Sequence, residues 1–122
     1  MLHLFFTIIT LFLLTGCSQK EVKHNEKYYQ TIICKQLDGK MEFVLKDKTR
    51  VDCLNDTYAM EVDFAKKWAE SIGQSLYYAQ MTHKEPAVGL IVGKKDLRYL
   101  KRLQIVANEL NIKVYIIKKE EQ

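Results

Sequence analysis

Between Tyr58 and Phe64, apolar and acidic side chains alternate: Tyr58, Met60, Val62 and Phe64 on one side, Ala59, Glu61 and Asp63 on the other. A period of two is that of a strand, here with one apolar face and one face carrying carboxylates. From Ala65 the period lengthens. Ala65, Trp68, Ala69, Ile72, Leu76 and Ala79 recur at helical spacing and predict a helix with that stripe buried. Lys67, Gln74 and Tyr78 fall together on another face of it. A strand bearing two acids therefore leads directly into a helix bearing a lysine, a glutamine and a tyrosine in line.

The rest of the chain resolves around that stretch. A helix is predicted from about residue 24 to Lys35, with Tyr29, Ile32 and Ile33 buried and Glu26 near its start. Asp38-Gly39 marks a turn. Met41 to Leu45 and Thr49 to Leu54 read as strands of a hairpin joined across Lys46-Asp47-Lys48, and Asn55-Asp56 as the next turn. His83 to Pro86 ends the long helix, and Ala87 to Val92 is an apolar run of the length expected for a strand buried on both faces. Asp96 is placed to N-cap a helix running to about Leu110, with Leu97, Leu100, Leu103, Ala107 and Leu110 inside. Asn111 is a C-terminal cap, and Ile112 to Ile117 a last strand. The expectation is a three-layer α/β domain of order α-β-β-β-α-β-α-β. Its last two strands pair through helical crossovers in a mixed central sheet.

The start of the chain follows other rules. Leu4 to Leu14 is an apolar run of about eleven residues, too short to span a bilayer and suited to a signal-peptide hydrophobic region. It ends in Leu14-Thr15-Gly16-Cys17, which resembles the lipobox of bacterial lipoproteins, although the preceding residues include no Lys or Arg. That resemblance implies a signal peptide over residues 1–16, a diacylated Cys17 with a short tether over residues 17–23, and a single domain over residues 24–122. The protein would then be exported, held on a membrane of the bacterial cell envelope through Cys17. The formal charge of +4 lies wholly outside the first sixteen residues, which hold no Asp, Glu, Lys or Arg. It suits an anionic partner such as nucleic acid or a lipid surface, and equally ordinary solubility. Cys34 and Cys53 remain, either as a disulfide permitted by export or as two small buried thiols. No Cys-x-x-Cys and no His/Cys spacing reads as zinc, and His3, His24 and His83 are scattered.

Asp52, on the second hairpin strand, and Glu61, on the neighbouring strand, make a hard-cation site if they share a face, with Asp63 beside them and Lys67 just beyond. The run from Arg50 to Tyr78 resembles the PD-(D/E)XK nuclease superfamily. It is most similar to small bacterial members with an Arg-Val-Asp-Cys-Leu and Lys-Trp-Ala-Glu-x-Ile-Gly-Gln pattern. The resemblance implies a restriction-endonuclease-like core and hydrolysis of nucleic-acid phosphodiesters with Mg2+ or Mn2+. By position, Asp52 matches the family's first metal-binding aspartate and Glu61 the first acid of its acid-x-lysine motif. Gln74 with Tyr78 looks like the Gln-x-x-x-Tyr signature of the RecB-like branch, and Glu26 is placed like an extra metal-site acid. Asp63 stands where that motif has lysine. Either Lys67 is the migrated lysine, or the lysine is lost and the chain is a degenerate copy, an envelope binding or interaction module. The basic run Lys94, Lys95, Arg98, Lys101 and Arg102 is a solvated face, or a phosphate-holding one if it borders the site.

Overall fold

A computed structural model describes residues 23–121. The apolar run, Cys17 and the tether up to residue 22 lie outside the described residues, and no described helix is long and apolar enough to cross a membrane. The elements are α1 (Glu26–Gln36), β1 (Lys40–Val44), β2 (Arg50–Leu54), β3 (Tyr58–Phe64), a 3-10 turn (Ala65–Lys67), α2 (Trp68–Thr82), β4 (Glu85–Val92), α3 (Leu97–Leu110) and β5 (Lys113–Lys118). This is the α-β-β-β-α-β-α-β order that periodicity predicts. The five strands lie side by side in sequence order; β1, β2 and β3 are antiparallel, whereas β3, β4 and β5 run parallel. The parallel pairs need crossovers, which α2 and α3 supply.

The sheet separates two packing layers. On one face Met60, Val62, Ala87 and Ile91 meet Tyr29, Ile33 and Cys34 of α1. On the other, Val88 and Leu90 meet Leu100, Leu103 and Ala107 of α3, while Val51 and Ala59 meet Tyr78 of α2. β4 is thus covered on both sides, which is why its sequence is a continuous apolar run. Asn25 caps α1 by accepting the Tyr28 N–H at 3.0 Å. Asn111 ends α3 in the left-handed region with φ 53°, the expected C-terminal cap.

Several expected burials differ. Ile32 is exposed, and Gln30 and Cys34 take its place in the interior. In α2 Ala69 is exposed, and the deepest line is Ser71, Ser75 and Tyr78, with only Ala79 shared with the expected stripe. The 3-10 turn takes only Ala65 and Lys67 out of the helical phase; within α2 the face that is buried is that of two serines, which carry no apolar signal. Trp68, Ile72 and Leu76 pack at the flank, against the α3 layer. Leu97 is 55 % exposed and Leu110 is exposed as well, so the α3 core is narrower than its leucines suggest. Asp96 occupies the cap position of α3, yet its carboxylate accepts the Gly93 N–H at 2.8 Å and bonds no helix N–H.

Cys34 and Cys53 form a disulfide, joining α1 to β2 across 19 residues with Cα atoms 5.6 Å apart. Of the two readings left open by the sequence, the bonded one holds. Gly39, in the turn between α1 and β1, lies against it: a Cβ there would come within 3.0 Å of both sulfurs. Gly39→Ala is therefore expected to destabilise the domain by about 1–3 kcal/mol in urea unfolding. The Cys34→Ala/Cys53→Ala background should absorb most of that loss, and an undiminished loss there would contradict the contact.

Candidate functional site

The site is built where the sheet comes apart. β3 runs beside β4 in register from Tyr58 to Phe64, but its pairing with β2 is confined to Cys53–Met60 and Leu54–Ala59. Beyond that point the side chain of Asp52 enters the gap, and its Oδ2 accepts the Val62 N–H at 2.7 Å. A carboxylate takes the Val62 N–H in place of a backbone partner on β2. The β1–β2 ladder is interrupted at the same level, between the Met41–Cys53 and Phe43–Val51 pairs, where Glu42 sits in the left-handed region at φ 53°. Gln30, on α1 and only 3 % exposed, fills that interruption. Its Nε2 donates to the Asp52 carbonyl at 2.9 Å and to the Glu42 carboxylate at 3.0 Å. Neither residue carries a sequence signal: Gln30 lies on a face that the apolar pattern assigns to solvent, and Glu42 reads as an ordinary strand acid.

Alternation along β3 does the rest. With Met60 and Val62 committed to the core beneath α1, Glu61 and Asp63 project from the opposite face, toward α2. They are 5 % and 3 % exposed, and each retains one oxygen, Glu61 Oε2 and Asp63 Oδ2, without a hydrogen-bond partner among the described residues. Unpartnered buried carboxylate oxygens are costly and so call for a ligand, a proton or a cation. Burial, reinforced by the Asp52 and Asp63 charges, pushes the Glu61 carboxyl far above the usual range, so that it holds a proton at neutral pH. The Asp63 carboxyl is raised to about 7 by burial and then by Glu26. The Asp52 carboxyl is raised to about 6 by burial, even though the Val62 N–H opposes the shift. The protonated Glu61 favours the charged forms of both Asp52 and Asp63, whereas Asp52 and Asp63 act on each other only through charge.

Glu26 reaches the cluster from α1, and its charge is felt by both Asp52 and Asp63. Lys67 ends the 3-10 turn with its Nζ 4.0 Å from Glu26 Oε2, and its charge lowers Asp63. The expected row of Lys67, Gln74 and Tyr78 does not form, because Lys67 precedes α2 and turns toward α1. Gln74 and Tyr78 remain together: the Tyr78 hydroxyl donates to Gln74 Oε1 at 3.4 Å, a long bond. Tyr78 is buried against the acids, and burial followed by the Glu61 charge lifts its phenol to about 12. Lys94, Lys95 and Arg98 lie apart from the acids, around a neighbouring cavity that also includes Lys67.

Hard carboxylate oxygens, two of them unpartnered, suit a hard divalent cation such as Mg2+ or Mn2+. Among the described residues, however, no group of three or more acidic, histidine or cysteine side chains already converges as a cage. A cation here would displace the Glu61 proton and draw the carboxylates around itself. No protein-family model, no curated protein and no solved structure matches this chain.

The raised values set the sign of the pH dependence. With folded values of about 6 for Asp52 and about 7 for Asp63 against an ordinary 3.8, the native state holds more protons than the unfolded chain in between. Their contribution is fully present below about pH 4 and lost as pH rises through those values. The metal-free domain is expected to lose Tm from about pH 5 to about pH 8, and Glu61→Gln to flatten that slope. A Tm that climbs over the same window would contradict the protonated cluster.

Proposed function

We propose that this domain is a restriction-endonuclease-like core of the PD-(D/E)XK type, hydrolysing nucleic-acid phosphodiester bonds with Mg2+ or Mn2+. The observation that carries the reading is the pair of buried, unpartnered oxygens on Glu61 and Asp63 beside an Asp52 that holds β2 and β3 apart. The element order, the mixed five-stranded sheet and the placement of acids on its second and third strands support it. A bound cation would supply Lewis-acid polarisation of a phosphoryl oxygen and a more acidic water. Asp52 and Glu61 would hold it, with Asp63 or Glu26 assisting. Gln30 and Glu42 fix the backbone from which Asp52 projects, and the Cys34–Cys53 disulfide anchors the adjoining residue to α1.

Asp63 occupies the position of the usual lysine, so the cationic role falls to Lys67. Its Nζ lies at the open end of the cluster, beside Glu26 and within the influence of Asp63. From there it orients the attacking water or the phosphate, while Gln74 and Tyr78 close the site from α2. The disulfide suits an oxidising compartment and so supports a lipid-anchored, extracytoplasmic protein attached through Cys17. A second reading, a catalytically degenerate domain serving as an envelope binding or interaction module, is favoured by Asp63 itself and by a buried Glu61 that already carries a proton.

Cleavage of labelled single- and double-stranded DNA and RNA in Mg2+ and in Mn2+ separates the two. Wild-type protein is expected to cleave one of these substrates in a metal-dependent way, and Glu61→Gln to abolish cleavage with the fold retained. Lys67→Ala should lower kcat about a hundredfold, the scale of a lost proton-handling group. Undiminished cleavage by pure Glu61→Gln, or none by the wild type on any substrate, would remove the nuclease assignment.

A further inference from the structure

A cavity of about 1020 Å3 opens at the carboxyl ends of β3, β4 and β5, next to the acidic cluster. Its walls are the segment Phe64–Lys67, the loop leading into α3, the first turn of α3 and the segment Lys119–Glu121 that follows β5. Seven of the residues around this cavity are lysine or arginine and three are acidic. Lys66, Lys94, Lys95 and Arg98 have no carboxylate within ion-pair distance among the described residues.

The acids that are present are committed elsewhere. Asp96 accepts the Gly93 N–H at 2.8 Å, and Glu120 takes the Tyr28 hydroxyl at 3.0 Å and His24 Nε2 at 2.8 Å. Glu121 lays its carboxylate on the Lys94 N–H, at 3.2 and 3.4 Å, beside a Gly93 where a Cβ would collide with it. Thus a backbone donor at the mouth of a basic cavity is covered by an anion borrowed from the same chain. Aromatic side chains stand beside the charges: His24, Phe64 and Tyr99 line the cavity, with the Arg98 guanidinium 4.7 Å from the Tyr99 ring centre and donating to its hydroxyl at 2.9 Å. Cations tracking a concave wall with aromatic faces between them are the features that bind a single nucleic-acid strand.

We infer that this cavity binds the phosphates of a single-stranded nucleic acid, and that Glu121 stands where one phosphate would sit. The inference rests on the nuclease reading of the adjoining acids, to which Lys67 belongs as well as to the cavity. It gives the strand a path across the carboxyl ends of β3–β5 to the Asp52–Glu61 gap. A membrane surface offers the same phosphate chemistry, but a flat sheet of headgroups reaches a concave site less readily than a flexible strand.

Fluorescence anisotropy with a short 5′-labelled single-stranded DNA, in EDTA so that nothing is cleaved, tests this. Binding by the wild type is expected to weaken with salt. Lys95→Ala/Arg98→Ala, at two exposed positions, should lose about tenfold in affinity and show a shallower salt slope. Glu121→Gln should tighten binding several-fold by vacating the Lys94 N–H. No binding, or binding indifferent to both variants, overturns the inference. So does Arg98-dependent capture by phosphatidylglycerol vesicles without oligonucleotide binding. The nuclease reading stands or falls separately: metal-dependent cleavage lost in Glu61→Gln with the cavity variants silent keeps it, and strand binding with no cleavage removes it alone.

Discussion

One hydrogen bond organises this domain: Asp52 Oδ2 to the Val62 N–H. A carboxylate that takes a backbone donor from the next strand must stand between two strands, so β2 cannot continue its ladder with β3. The opening gives Glu61 and Asp63 a common space instead of a packed interface. It also leaves Asp52 unable to shed its burial, because the group that would solvate it has been replaced by a single amide. Everything unusual nearby follows from this one substitution of a side chain for a backbone partner. The skipped Glu42–Asp52 pair, the left-handed Glu42 and the buried Gln30 amide compensate for the backbone that it displaces.

Such a gap is destabilising unless its edges are held. α1 holds one edge three times over: through Gln30 to the Asp52 carbonyl, through the Cys34–Cys53 disulfide at the next residue, and through a core of Tyr29, Ile33, Met60 and Val62. α2 closes the other face with Tyr78 and the two buried serines, whose hydroxyls bond back to their own helix carbonyls and leave no donor aimed at the acids. The carboxylates are therefore confined between rigid elements, with the Val62 N–H on Asp52 and one oxygen each of Glu61 and Asp63 unpartnered among the described residues. That is an arrangement in which a proton and a divalent cation compete for the same oxygens. Buried acids on β2 and β3 and basic residues at the adjoining strand ends are the two features on which the proposed metal-assisted reaction on a polyanion rests.

The fold was largely legible. Periodicity of two at Tyr58–Phe64, the apolar run before Val92 and the Asn111 cap each specify an element locally, and their order leaves few topologies. The phase of α2 was not legible, because its most buried positions include Ser71 and Ser75, which an apolar pattern passes over, and because a 3-10 turn takes Ala65 and Lys67 out of its register. Leu97 and Leu110 lie at the two ends of α3, and only the middle of its apolar stripe, Leu100, Leu103 and Ala107, is buried. Within the site, Asp52, Glu61 and Asp63 stood out as acids among apolar strand residues, where an unpaired charge is expensive. Gln30 and Glu42 did not, since their importance lies in a ladder interruption that only three-dimensional register reveals. Lys67 was visible as a residue, but its partner on α1 was not.

In the proposed function, protons and a divalent cation compete for the Asp52–Glu61–Asp63 cluster. Calorimetric titration of the domain from Ser18 with Mn2+ near neutral pH, repeated in buffers of different ionisation enthalpy, counts the protons released on binding. The account predicts binding accompanied by release of roughly one proton per metal, with both signals absent from Asp52→Asn/Glu61→Gln. Absence of binding at millimolar metal, or binding that releases no proton and persists in the double variant, would contradict it.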